Sequence, residues 1–113
     1  ISVVPFGPGD GNTMLWSGTA WYDGDTGSQI PAKSWTHFVA VNNAGNLKLY
    51  LNGVETFAGA NFPDVFTPAA TTQFGIGVNF WDTPYTGMMD ELKIFDEPIS
   101  AEDVTTLYQE GSM

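Results

Sequence analysis

Asp90 occupies a position that asks for chemistry. In the stretch GMMDELKIFDEP the apolar residues Met88, Leu92 and Ile94 share one strand parity, and Asp90 falls on the same parity. A carboxylate on an apolar face is costly unless it is ion-paired, hydrogen-bonded or bound to a metal. A second constellation is aromatic. Trp81 and Tyr85 lie in a short stretch with Asn79 and Asp82, and Trp21 and Tyr22 stand beside Asp23, with Trp16 a few residues before them. Pyranose rings present flat C–H faces that stack on Trp and Tyr, while nearby amides and carboxylates hydrogen-bond the hydroxyls. The competing role for these rings is core packing, which takes most aromatics in a small β-domain.

Other chemistries find little support. Hydrolysis of a glycoside needs two carboxylates roughly 5–10 Å apart across a sugar. Asp90 and Glu91 are adjacent and would point to opposite faces of a strand, Glu55 is isolated, and Asp23 and Asp25 read as turn residues, so the chain is not expected to be an enzyme. The D-x-D spacing of Asp23 and Asp25 is partly similar to a calcium loop but has no later acidic ligand at the expected position. A solvated Asx turn is the better reading. His37 is the only histidine and there is no cysteine. A Cys–His pair is impossible, a zinc site has too few ligands, and His37 is assigned a structural role in its strand.

The elements that must position these residues are mostly strands. Gln73 to Phe80 places Phe74, Ile76, Val78 and Phe80 on one parity and predicts a half-buried strand, and Gly87 to Phe95 predicts another. Ile1 to Pro5 and Thr13 to Tyr22 are further strand candidates, the second bent at Gly18. Ser34 to Asn43 and Asn46 to Gly53 form a hairpin through the turn NNAG. Asn52-Gly53 is a type I′ turn signal, and VETFAG continues the meander. Asn61 to Thr72, with Pro63 and Pro68, reads as a surface excursion. Pro98 halts the last strand. Ser100 then caps a helix with Asp103 three residues on, Val104, Leu107 and Tyr108 form its apolar stripe, and Gly111 is placed to end it.

The 113 residues amount to one domain or part of one. Thirteen acidic residues against three basic ones give a net charge of −10. That field repels phosphate backbones and anionic membranes, so neither nucleic acid nor a membrane is an expected partner, whereas cations and neutral sugars suit it. No run of about 18 apolar residues is present to form a transmembrane helix. The chain begins at Ile1 and shows no signal-peptide pattern, which reads as a piece of a longer precursor.

The order W-x-H-F-V-A-V (Trp35 to Val41), L-x-L-Y-x-N-G (Leu47 to Gly53), F-G-I-G (Phe74 to Gly77), G-x-M-D-E-L-x-I-F (Gly87 to Phe95) and S-x-x-x-V-x-x-L-Y (Ser100 to Tyr108) resembles the laminin-G-like group of concanavalin A-like jelly rolls. The resemblance covers roughly the last 80 residues and weakens to composition before Trp35. It implies an all-β fold, an antiparallel β-sandwich with one short C-terminal helix, spanning residues 1–113 as a single domain. The family's complete domain is longer, so its N-terminal strands are expected outside this chain, supplied by a preceding segment or by a second chain. By the same resemblance Asp90 matches a position near a structural calcium ion, the alternative being a carboxylate that hydrogen-bonds backbone amides and locks the sheet. Trp35 matches a core position. The function implied is a noncatalytic carbohydrate-binding module of a secreted or surface bacterial protein. It would bind a polysaccharide through Trp81, Tyr85, Asn79, Asp82, Trp21, Tyr22 and Asp23. The runner-up is a structural or protein-interaction sandwich without a sugar site.

Overall fold

The computed structural model describes residues 2–16, 24–64, 69–78 and 83–111. The described part holds two three-stranded antiparallel sheets and one helix. In the first sheet β1 (Ser2–Val4) pairs with β2 (Met14–Trp16), which pairs with β3 (Gly24–Asp25). In the second, β4 (Phe38–Asn43), β5 (Asn46–Leu51) and β6 (Val54–Gly59) form a meander with β5 in the middle. The helix α1 runs over Ala101–Gly111.

The meander follows from local chemistry. Asn43 pairs with Asn46 across a turn whose Ala44 and Gly45 both have positive φ, 49° and 90°. The next turn has Asn52 at 51° and Gly53 at 79°, the type I′ geometry that matches strand twist. The register then slips once. Leu49 faces Phe57 and Tyr50 faces Glu55, so Thr56 is an extra residue in β6, a β-bulge whose hydroxyl donates to the Leu49 carbonyl at 3.3 Å.

The sheets meet over a small core. Leu15 from the first packs with Leu47, Leu49 and Phe62 from the second side, and Phe38 and Phe57 close its edges. Gly24 makes the approach possible, because a Cβ there would sit 3.1 Å from a Leu49 methyl and 3.5 Å from the Phe57 ring. Thr13, fully buried, ties the first sheet to its flanking loops. Its hydroxyl donates to the Pro5 carbonyl (2.7 Å) and accepts from the Ile30 amide (2.9 Å), and its carbonyl accepts from both the amide and the hydroxyl of Thr26. These bonds satisfy polar groups that would otherwise be costly to bury.

The helix begins on a reciprocal capping box. Ser100 Oγ accepts from the Asp103 amide at 3.1 Å, and the Asp103 carboxylate accepts from the Ser100 amide at 3.0 Å and its hydroxyl at 2.7 Å. These bonds, the side-chain one first, hold the Asp103 carboxyl below its ordinary value. Val104 is fully buried and Leu107 and Tyr108 are half-buried, so the apolar stripe faces inward. Tyr108 lies against Gly53 and stands 5.9 Å from the His37 ring. The helix extends through Gly111 instead of stopping before it.

Four expectations are corrected. No described residue of Gln73 to Val78 or Gly87 to Phe95 lies in a strand. Ile76 and Gly77 form a bend, with Gly77 at φ 73°, and Glu91 at φ 53° breaks the extended path of the second stretch. A strand needs a neighbour to take its backbone groups, and parity alone does not provide one. Gly24 and Asp25 are not turn residues but the short strand β3. Trp35 is not in the core: it precedes the first paired residue of β4 and is 62% exposed. Phe62, read as part of a surface loop, is buried because its amide donates to the Gly45 carbonyl and brings its ring onto the core.

Candidate functional site

Of the residues expected to bind sugar, Tyr85 is described. Asn79, Trp81, Asp82, Trp21, Tyr22 and Asp23 lie outside the described residues. Tyr85 is positioned by two glycines. Its amide donates to the Gly77 carbonyl at 2.7 Å, which closes the loop between them. Its phenol lies directly across Gly87, where an added Cβ would fall 2.6 Å from the Tyr85 hydroxyl oxygen and 2.7 Å from the ring. Any side chain at residue 87 would displace the ring. The phenol is nevertheless 42% exposed, so it offers solvent a ring whose other surface rests on backbone. That combination suits a stacking platform: a held apolar face beside a polar hydroxyl.

Asp90 is exposed, as are Met88, Leu92 and Ile94 around it. The buried carboxylate expected from strand parity is therefore not what the fold presents. Its Oδ1 accepts from the Glu91 amide at 2.8 Å, and Glu91 pairs with Lys93 at 3.2 Å. Among the described residues no three carboxylate or histidine side chains gather as metal ligands.

Asp25 is held by the turn that follows it. Its Oδ1 accepts from the Gly27 amide at 2.7 Å, an Asx turn, and its Oδ2 accepts from the Asn12 side chain at 3.4 Å. Asn12 also donates to both oxygens of Asp10, from its amide at 2.9 Å and its side chain at 3.2 Å. The Gly27 amide, followed by Asp10 and Asn12, holds the Asp25 carboxyl below its ordinary value against the opposing effect of burial.

His37 lies at the far end of the hairpin. Its amide donates to Asn52 Oδ1 and its carbonyl accepts from the Asn52 amide, both at 2.9 Å. Its Nδ1 is buried with no hydrogen-bond partner among the described residues, and burial, with Lys93 adding to it, lowers the pKa. A neutral ring packed on Tyr108 fits the structural role read from the sequence.

The fold also forms a polar cleft of about 610 Å³ at the β4–β5 turn, lined by Asn42, Ala44, Gly45, Asn61, Phe62 and Asp64. Asn42 Oδ1 accepts from the Gly45 amide, and Asn61 is held at φ 62°. The sequence reading passed over these residues. The Phe62–Gly45 backbone bond, which joins positions far apart in the chain, helps to bring Asn61 and Asp64 beside Asn42.

Two antiparallel sheets with a terminal helix define the sandwich class of lectin-like and glucanase-like domains. The sequence profile described as the concanavalin A-like lectin/glucanases superfamily, Laminin_G_3, matches residues 2–105, and the chain belongs to this family. The match reaches well before Trp35, where the motif resemblance had faded. Among solved structures the chain is similar to domain 4 of AbnA, a GH43 extracellular arabinanase from Geobacillus stearothermophilus, in complex with arabinotriose. The identity is 51% and the TM-score 0.88, over 96% of this chain and 52% of that one. It is also similar to an S-layer domain-containing protein (residues 221–444) from Clostridium thermocellum, at 22% identity and TM-score 0.65, over 77% of this chain and 44% of that one. The second likeness is one of fold alone. The chain thus spans about half the length of the solved chains it resembles. No curated protein sequence matches it. No helix among the described residues is long and apolar enough to cross a membrane.

Proposed function

We propose that this chain is a noncatalytic carbohydrate-binding module that takes an arabinose-containing oligosaccharide or polysaccharide, in an extracellular setting. The observation that carries the reading is the 51% identity, over nearly the whole chain, to an arabinanase domain in complex with arabinotriose. Tyr85, held over Gly87 and half-exposed, serves as one stacking ring. Trp81, with Asn79 and Asp82 near it in sequence, and Trp21, Tyr22 and Asp23 are the further residues assigned to sugar contact in this proposal. Calcium at Asp90 is a structural adjunct of the same proposal. A protein-interaction role is the second reading, favoured by the exposed apolar residues between Phe74 and Phe95.

Calorimetric titration with arabinotriose, with calcium and then with chelator, tests the reading. Binding is expected, reduced about five- to tenfold in Tyr85→Ala, the loss of one aromatic contact, and more strongly in Trp81→Ala. Loss of binding in Asn61→Ala with Tyr85→Ala unaffected would move the site to the β4–β5 cleft. Loss on chelation, repeated by Asp90→Asn in the presence of calcium, would make Asp90 a ligand of a supporting ion. No heat with arabinotriose or with arabinan, from a chain that melts cooperatively, would sink the sugar reading.

A further inference from the structure

The cleft of about 610 Å³ at the β4–β5 turn contains none of the aromatic residues assigned to sugar contact. One side of it is the turn, with Asn42, Ala44 and Gly45. The other is chain that follows β6, with Asn61, Phe62 and Asp64. The two sides are clamped together. The Phe62 amide donates to the Gly45 carbonyl at 2.9 Å, and a Cβ on Gly45 would stand 3.5 Å from the Phe62 carbonyl oxygen and 3.8 Å from Asn61 Cα. Phe62 itself is anchored in the core. Ala44 and Asn61 hold φ angles of 49° and 62°, where a residue with a Cβ is strained. Strained backbone of this kind clusters at ligand clamps.

The polar groups of the cleft are only partly used by the fold. Asn42 Oδ1 accepts from the Gly45 amide at 3.0 Å, which leaves its Nδ2 hydrogens for another acceptor. Neither that amino group nor the Asn61 side-chain amide has a partner among the described residues. Asp64 adds a carboxylate, and no lysine or histidine lines the cleft. Two amides and a carboxylate supply the donors and acceptors that neighbouring hydroxyls need. Asp64 and the net charge of −10 disfavour an anionic ligand. The volume lies within the range of small-ligand clefts.

We infer that this cleft is a second sugar subsite, which takes one or two units of a neutral glycan by hydrogen bonding, in addition to stacking at Tyr85. The inference deepens the function proposed above and rests on it for the choice of a sugar. Two subsites on one glycan chain reinforce each other through effective concentration, so neither has to bind tightly alone.

The test is a titration of the isotope-labelled chain with arabinotriose, followed in ¹H–¹⁵N and aromatic spectra. The side-chain amide resonances of Asn42 and Asn61 should shift saturably, and should still shift in Tyr85→Ala. The anionic trisaccharide trigalacturonate should leave them in place. Asn42→Asp keeps an acceptor for the Gly45 amide and removes the donors, and Asn61→Gly keeps the positive φ without strain. Each should weaken binding at the cleft about two- to tenfold, the loss of one hydrogen-bonding group. Unchanged backbone amides of Gly45 and Phe62 in the free variants show that the clamp is intact. A shift of the Tyr85 ring resonances with Asn42 and Asn61 silent would overturn the second subsite and leave the sugar reading standing. Equal shifts with trigalacturonate would overturn its preference for a neutral ligand. Silence at both places, with arabinotriose and with xylotriose, would end both the subsite and the sugar reading.

Discussion

His37 and Asp25 titrate in separate windows, and each shows how one residue senses its surroundings. Burial, helped by Lys93, lowers the His37 pKa, so the unfolded chain takes up the proton more readily than the folded one. Stability is full above the ordinary histidine value of 6.5 and falls as pH drops below it, until the folded ring is also protonated. The Asp25 pKa is lowered by the Gly27 amide. Its contribution is complete above the ordinary value of 3.8 and is lost only as pH falls through the lower folded value. Between pH 7.5 and 5.5 the melting temperature should therefore decline through the His37 contribution. His37→Phe keeps a ring against Tyr108 and removes the titration. Thermal melts across that range should flatten in this variant, and an unchanged slope would assign the effect elsewhere. Tyr85 makes the same point for the candidate site: its chemistry was legible as a residue type near Trp81, but its support by Gly77 and Gly87 is a matter of contacts.

At the scale of elements, β3 carries more weight than its two residues suggest. Gly24 sits where the first sheet meets Leu49 and Phe57 of the second. A valine there would put branched methyls into space that is already occupied by side chains, and overpacking of this kind costs about 1–3 kcal/mol. Gly24→Val should lower stability by that amount in urea denaturation. Gly24→Ala should cost less, because the near neighbour is a terminal methyl of Leu49 that can shift by a few tenths of an ångström. A neutral valine variant would mean that the sheets do not pack through this position in solution. The sequence marked this site only as a glycine in an acidic turn. The turns at Asn52-Gly53 and Ser100–Asp103 were legible, because their hydrogen bonds and φ values are decided within four residues.

Across the whole molecule, charge works against compactness. Against a net charge of −10 stand ion pairs such as Lys48–Glu55 at 3.7 Å and Lys93–Glu91 at 3.2 Å, both exposed. Exposed pairs add little, so screening the overall repulsion should outweigh screening of these attractions. Raising NaCl from about 0.01 M to about 0.15 M shortens the screening length from about 30 Å to about 8 Å. The melting temperature should rise on the order of 2–5 °C. A fall on adding salt would show that specific pairs dominate over net charge.

The sequence by itself determined the β-meander, the capped helix and the family. These rest on turn chemistry, alternation and composition, all of which act locally or as sums over the chain. Tertiary structure decided which apolar faces are covered. Phe62 became core and Trp35 did not, and the even-numbered residues from Phe74 to Val78 and from Met88 to Ile94 stayed in solvent with Asp90 among them. Parity shows that a stretch can present one apolar face. Burial requires a second surface to meet it, and that surface comes from chain distant in sequence or from another polypeptide.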